Sequence, residues 1–104
     1  MYQKILSAVS EHLNSEMAAR DALNLAKACE AKLYLSFIAE KSFSRSDIEC
    51  AEDAMRRLFL EAEEMGILVE SIAETGDLVP QIERTVRQEG IDLVFASTRR
   101  EDIK

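Results

Sequence analysis

The chain has 104 residues, 47% of them hydrophobic and 32% charged, which fits one folded domain at about 150 residues per domain and is too apolar for a disordered polymer. Thirteen Lys and Arg against twenty Asp and Glu leave a net charge of −7, and with the basic residues scattered this argues against nucleic-acid binding and against adsorption to an anionic membrane surface. No apolar run nears the roughly 20 residues of a spanning helix, and the opening Met1-Tyr2-Gln3-Lys4-Ile5-Leu6 does not read as a signal peptide, so a cytoplasmic protein without membrane insertion is expected.

Lys4 to Val9, KILSAV, is short and apolar, as a buried strand requires. Asn14 or Ser15 then offers a side-chain oxygen to cap a helix, whose small apolar face is Ala18, Ala22, Leu25, Ala26 and Cys29 and which ends near Glu30. Lys32 to Ala39, KLYLSFIA, is branched and aromatic and reads as a second strand. Ser46-Asp47-Ile48-Glu49 has the spacing of a capping box, with Ser46 at the N-cap. The helix behind it carries Ile48, Ala51, Met55, Leu58, Phe59, Ala62 and Met65 on one stripe and is stopped by Gly66. Ile67 to Ala73 gives a third strand, and Asp77 caps a third helix with Pro80 in its first turn and Leu78, Ile82 and Val86 as its stripe. Gly90 stops that helix, and Ile91 to Ala96, IDLVFA, is a fourth strand. Alternating strands and helices predict an α/β fold, an open parallel sheet with helices on both faces.

Other chemistry is sparse. Cys29 and Cys50 read as two thiols packed like small hydrophobes in a reducing compartment. His12 is the lone histidine, so a zinc site lacks ligands. Met17, Met55 and Met65 fall at helical spacing and read as core filler. Ser10 and His12 invite a nucleophile–base reading, but no third orienting group accompanies them.

The opening Met1 to Val9, the Ala-rich first helix, KLYLSFIA, Thr75-Gly76-Asp77 and Glu89-Gly90-Ile91-Asp92-Leu93-Val94 together resemble a universal stress protein domain over nearly the whole chain. The resemblance implies a Rossmann-like, adenine-nucleotide alpha-hydrolase-like sheet of order 3-2-1-4-5, here 3-2-1-4 with the fifth strand and the helix before it absent. It implies a crevice beyond the carboxyl ends of the strands where the order reverses. Its lining would be Ala8, Val9 and Ser10 from the first strand and Ala96, Ser97, Thr98, Arg99 and Arg100 after the fourth, with Ile38 and Ala39 as an adenine wall.

The sequence departs from the family's nucleotide-binding pattern at this crevice. Ser10 stands where many members carry Asp, and Ala96 and Arg99 stand where a Gly-x-x-Gly turn is expected. Glycines there let backbone N–H groups approach phosphates, and side chains hinder that approach. Arg99 and Arg100 could pair with a phosphate, but the absent glycine turn favours two solvated arginines. Ser97 and Thr98 read equally as phosphate ligands or as a strand terminus.

Two functional classes follow from the resemblance. One is a non-catalytic stress-response or regulatory module acting through oligomerisation or partner binding, with no cofactor. The other is a binder of ATP or another adenine nucleotide, with weak hydrolysis not excluded. A third alternative is a regulatory domain of a larger protein. The apolar fourth strand is expected at a sheet edge, where unpaired N–H and C=O groups invite another chain. A homo-oligomer, in the simplest case a dimer, or a longer parent chain is therefore expected to cover it.

Overall fold

A computed structural model describes residues 2–10 and 13–96. The elements run β1 (Lys4–Val9), α1 (Leu13–Cys29), β2 (Lys32–Ala39), α2 (Arg45–Glu64), β3 (Val69–Thr75), α3 (Leu78–Glu89) and β4 (Leu93–Ala96). The strands form one sheet of order β3-β2-β1-β4, and every pairing is parallel. The expected architecture and strand order are both present.

The two central strands are buried on both faces, with Ile5 to Val9 and Leu33 to Ile38 all in the interior. This is why their sequences are continuous apolar runs rather than alternating ones. One face packs Ile5, Val9, Leu33 and Leu35 against Ala19, Ala22, Leu23 and Ala26 of α1 and Ala54, Leu58 and Ala62 of α2. The alanines let both helices lie close to the sheet. On the other face, Leu6, Ala8 and Tyr34 meet Ile72, Ile91 and Ile82 of α3.

All three helices end on a left-handed residue, Glu30 (φ 55°), Gly66 (φ 77°) and Gly90 (φ 70°). The next N–H reaches back into the helix in each case: Ala31 to the Ala26 carbonyl at 2.9 Å, Ile67 to Ala62 at 2.9 Å and Ile91 to Val86 at 3.1 Å. These bonds satisfy carbonyls that a helix end leaves orphaned. They also correct the expected strand starts. Ile67 and Ile91 close helices, and β3 and β4 begin two residues later, at Val69 and Leu93.

Helix starts also differ from expectation. The box on α2 uses Ser44 as N-cap: its Oγ accepts from Asp47 N at 3.1 Å, and Asp47 Oδ2 accepts from Ser44 N at 2.9 Å. The chain takes this box one turn-residue pair earlier than Ser46 and Glu49. Ser15 and Asn14 lie inside α1, not at its cap. Met17 is 57% exposed and Cys50 is exposed, so neither fills the core.

The amino ends of the outer and central strands are tied together. Asp92 Oδ2 accepts from Gln3 N at 2.8 Å and from Lys4 N at 2.9 Å, and Lys4 Nζ donates to the Glu89 carbonyl at 2.8 Å. These backbone donors hold the Asp92 carboxyl below the usual carboxylate range.

Candidate functional site at the sheet reversal

Helices α1 and α2 cross one face and α3 the other, so the chain reverses direction across the sheet between β1 and β4. In open α/β sheets this is where ligands settle, beyond the carboxyl ends of the strands. At that rim Ala8 lies opposite Ala96 in the β1–β4 pairing and opposite Ser36 in the β1–β2 pairing. Val9 is opposite Phe37. Ile38 and Ala39 close β2 beside them, with Ile38 buried and Ala39 half-buried. The structure thus gathers Ala8, Val9, Ser10, Ile38, Ala39 and Ala96 at neighbouring strand ends. Ser97, Thr98, Arg99 and Arg100 lie outside the described residues, as do Glu11 and His12.

Two residues that the sequence reading did not place at the crevice, one of them the expected cap Ser15, shape the rim. Ser15 Oγ accepts from Ser10 N at 2.9 Å and donates to the Ser10 carbonyl at 3.2 Å. A buried hydroxyl of α1 therefore engages both backbone groups of the residue that follows β1. Glu40, directly after β2, accepts from Leu78 N at the start of α3, 3.2 Å from its Oε2. Asp77 occupies the N-cap position but makes no side-chain capping bond. A carboxylate of the same chain thus takes up a helix N-terminus that would favour an external anion. The visible signal was an acid at the end of a strand facing a helix start, but Asp77 offered a nearer cap in sequence.

Beneath the rim, the Ser36 hydroxyl is buried with no hydrogen-bond partner among the described residues. Among those residues, no group of three or more His, Cys, Asp or Glu side chains could hold a metal ion, and no helix is long and apolar enough to cross a membrane.

The strand order and its reversal define a doubly wound α/β domain. Residues 1–103 match the family model of the universal stress protein family, and the chain belongs to that family. Among solved structures it is similar to a universal stress protein family member from Burkholderia pseudomallei, at TM-score 0.79 and 19% identity, covering 93% of this chain and 82% of that one. It is similar to UspA from Lactobacillus plantarum, at TM-score 0.80 and 21% identity, covering 91% and 76%. A third similar structure, a universal stress protein in complex with cAMP, gives TM-score 0.72 and 19% identity, covering 89% and 70%. No curated protein matches the chain.

Proposed function

We propose that this chain is a non-catalytic, cytoplasmic regulatory domain of the universal stress type that works by associating with other chains, with its adenine-nucleotide groove weakly used or unused. The observation that carries this reading is the Ala8–Ala96 pair at the groove. β4 ends there at Ala96 and β1 one residue further on at Val9, and each carries a Cβ where a phosphate cradle calls for backbone bare of side chains. The engagement of the Ser10 backbone by Ser15 points the same way, since it uses a donor at the end of β1 that an anion would need.

Association is assigned to the outer edge of β4. Its sequence, Leu93-Val94-Phe95-Ala96, is uncharged, and Val94 is 37% exposed. Among the described residues no strand pairs with the outer side of β4, and an uncharged edge of this kind is a pairing template. A second copy, or a further part of a longer chain, completes the sheet there.

Calorimetry with ATP and magnesium, run beside sedimentation of the same protein, tests the reading. The expected result is no saturable ATP binding at micromolar concentration and a species larger than one chain. Micromolar ATP binding would establish the alternative, an adenine-nucleotide-binding stress protein using the groove between β1 and β4. The cAMP complex of the similar protein is the observation that keeps this second reading in view.

A further inference from the structure

The opposite edge of the sheet differs from β4 in charge and shape. Among the described residues no strand pairs with the outer side of β3. Beside that edge runs an open groove of ≈ 550 Å³ walled by Phe37 and by Met55, Phe59 and Leu60 of α2, with Glu52 and Arg56 of the same helix also lining it. A second hollow continues it around the carboxyl end of β3 to Gln81 and Arg84 of α3. Leu60 is 59% exposed, although it is a large apolar side chain beside this groove.

Strand alternation sorts the residues of β3. Ser71 and Ala73 face α2 and its apolar groove, whereas Glu70, Ile72 and Glu74 face the α3 side. Glu70 pairs with Lys32 at 2.9 Å, yet its side chain remains 48% exposed. Glu74 has one carboxylate oxygen, Oε1, closed off from water and without a hydrogen-bond partner among the described residues. A buried oxygen in this state is costly unless a donor reaches it.

We propose that the β3 edge is a docking site for an extended, basic peptide segment of another protein, which adds to the sheet as a further strand. Backbone pairing supplies the attachment, and alternate side chains supply selectivity. Residues opposite Glu70 and Glu74 are four apart and share one face whichever way the added strand runs. The segment therefore carries Lys or Arg at both positions, because opposite charges stabilise a cross-strand pair. The residues opposite Ser71 and Ala73 point toward Met55, Phe59 and Leu60 and are apolar. A second copy of this chain is a poor occupant. Antiparallel pairing of two β3 strands about Ile72 sets Glu70 of each against Glu74 of the other, and like charges placed so repel. The uncharged β4 edge has no such penalty. This site is independent of the nucleotide groove and of association at β4.

The test is fluorescence anisotropy of a labelled peptide, Thr-Lys-Val-Thr-Val-Lys-Thr, titrated with the full chain. The expected result is saturable binding, at least about tenfold weaker when both lysines are replaced by glutamate, and abolished when the central Thr and the Val after it are both replaced by proline, since one of two adjacent N–H groups faces β3 whichever way the strand runs. Glu70→Lys combined with Glu74→Lys reverses the preference between the lysine and glutamate peptides. Amide hydrogen exchange slows in Val69–Thr75 on binding and is unchanged in Leu93–Ala96. Four results overturn the proposal: no saturable binding, equal binding of the proline peptide, protection confined to β4, or pairing of two copies through β3. The peptide comparisons use the unmodified protein, so they decide the matter even if the double variant fails to fold.

Discussion

Glu16 of α1 and Arg57 of α2 form a two-point ion pair across the helix layer: Arg57 Nε lies 3.1 Å from Oε2 and Nη2 lies 3.0 Å from Oε1. The Glu16 side chain is 12% exposed and also meets Arg20 at 3.3 Å, while Arg20 bonds Glu61 of α2 through its Nε and Nη2. Both arginines thus bridge the same two helices, which meet the sheet largely through alanines.

Truncating Glu16 removes the hub of this network. Bidentate, charge-assisted bonds exceed ordinary surface pairs, although the half-exposed Arg57 tempers the gain. Glu16→Ala is expected to cost about 1–2 kcal/mol in urea unfolding. A double-mutant cycle with Arg57→Ala is expected to show positive coupling, and additive losses would contradict the bridging role.

Acid sensitivity follows from the same group. Hydrogen bonding to Arg57 holds the Glu16 carboxyl below the usual carboxylate range, and the Gln3 and Lys4 backbone N–H groups do the same to Asp92. A carboxyl whose folded pKa is depressed stabilises the fold above its unfolded pKa and loses that contribution as pH falls through the folded value. Stability is therefore expected to be flat near neutrality and to fall below about pH 4.5. Glu16→Gln and Asp92→Asn should each lower stability at pH 7 and shallow the acid slope, measured by urea midpoints from pH 7 to 3.

The helix ends offer a matched pair of substitutions. Glu30 holds φ 55° with a side chain that this conformation disfavours, whereas Gly90 holds φ 70° at no such cost. Glu30→Gly is expected to stabilise by up to about 1 kcal/mol, and Gly90→Ala to destabilise by about 1–2 kcal/mol. A Cβ on Gly90 would meet only Lys4 Nζ at 3.9 Å, so the loss there is one of backbone, not crowding. Thermal unfolding of the two variants with opposite signs is the check.

Ser44 and Ser46 are separable by experiment. Ser44→Ala removes the hydroxyl that accepts from Asp47 N and is expected to cost about 1 kcal/mol. Ser46→Ala touches only a hydroxyl contact with Ser44 at 3.3 Å and should be near neutral. Equal losses would place the cap elsewhere.

Much of the architecture was readable from residues alone, for a physical reason. Lys4–Val9 and Lys32–Ala39 are continuous apolar runs because both faces of the central strands are covered, and their bounds agree with β1 and β2. The edge strands were less legible. Ile67 and Ile91 look like strand residues by composition, but their N–H groups close the preceding helices, a choice made by backbone geometry after a left-handed glycine. The cap on α2 was misplaced because Ser44-x-x-Asp47 and Ser46-x-x-Glu49 have the same spacing. At the reversal, Ala8, Val9, Ser10, Ile38, Ala39 and Ala96 were named through the family resemblance, and the strand order brings them to neighbouring strand ends. Ser15, read as a helix cap, and Glu40 were not placed at the rim because their partners, Ser10 and Leu78, lie across a turn or 38 positions away in the chain.

The clamp between Asp92 and the amides of Gln3 and Lys4 joins positions 89 and 88 apart, and β1 needs β2 on one side and β4 on the other. During synthesis β1 must therefore wait for a residue 89 positions later before its second flank is filled. Until then its backbone is open to neighbours, and long-range closure of this kind slows folding. Nascent chains halted after β3 should be the ones that chaperones hold.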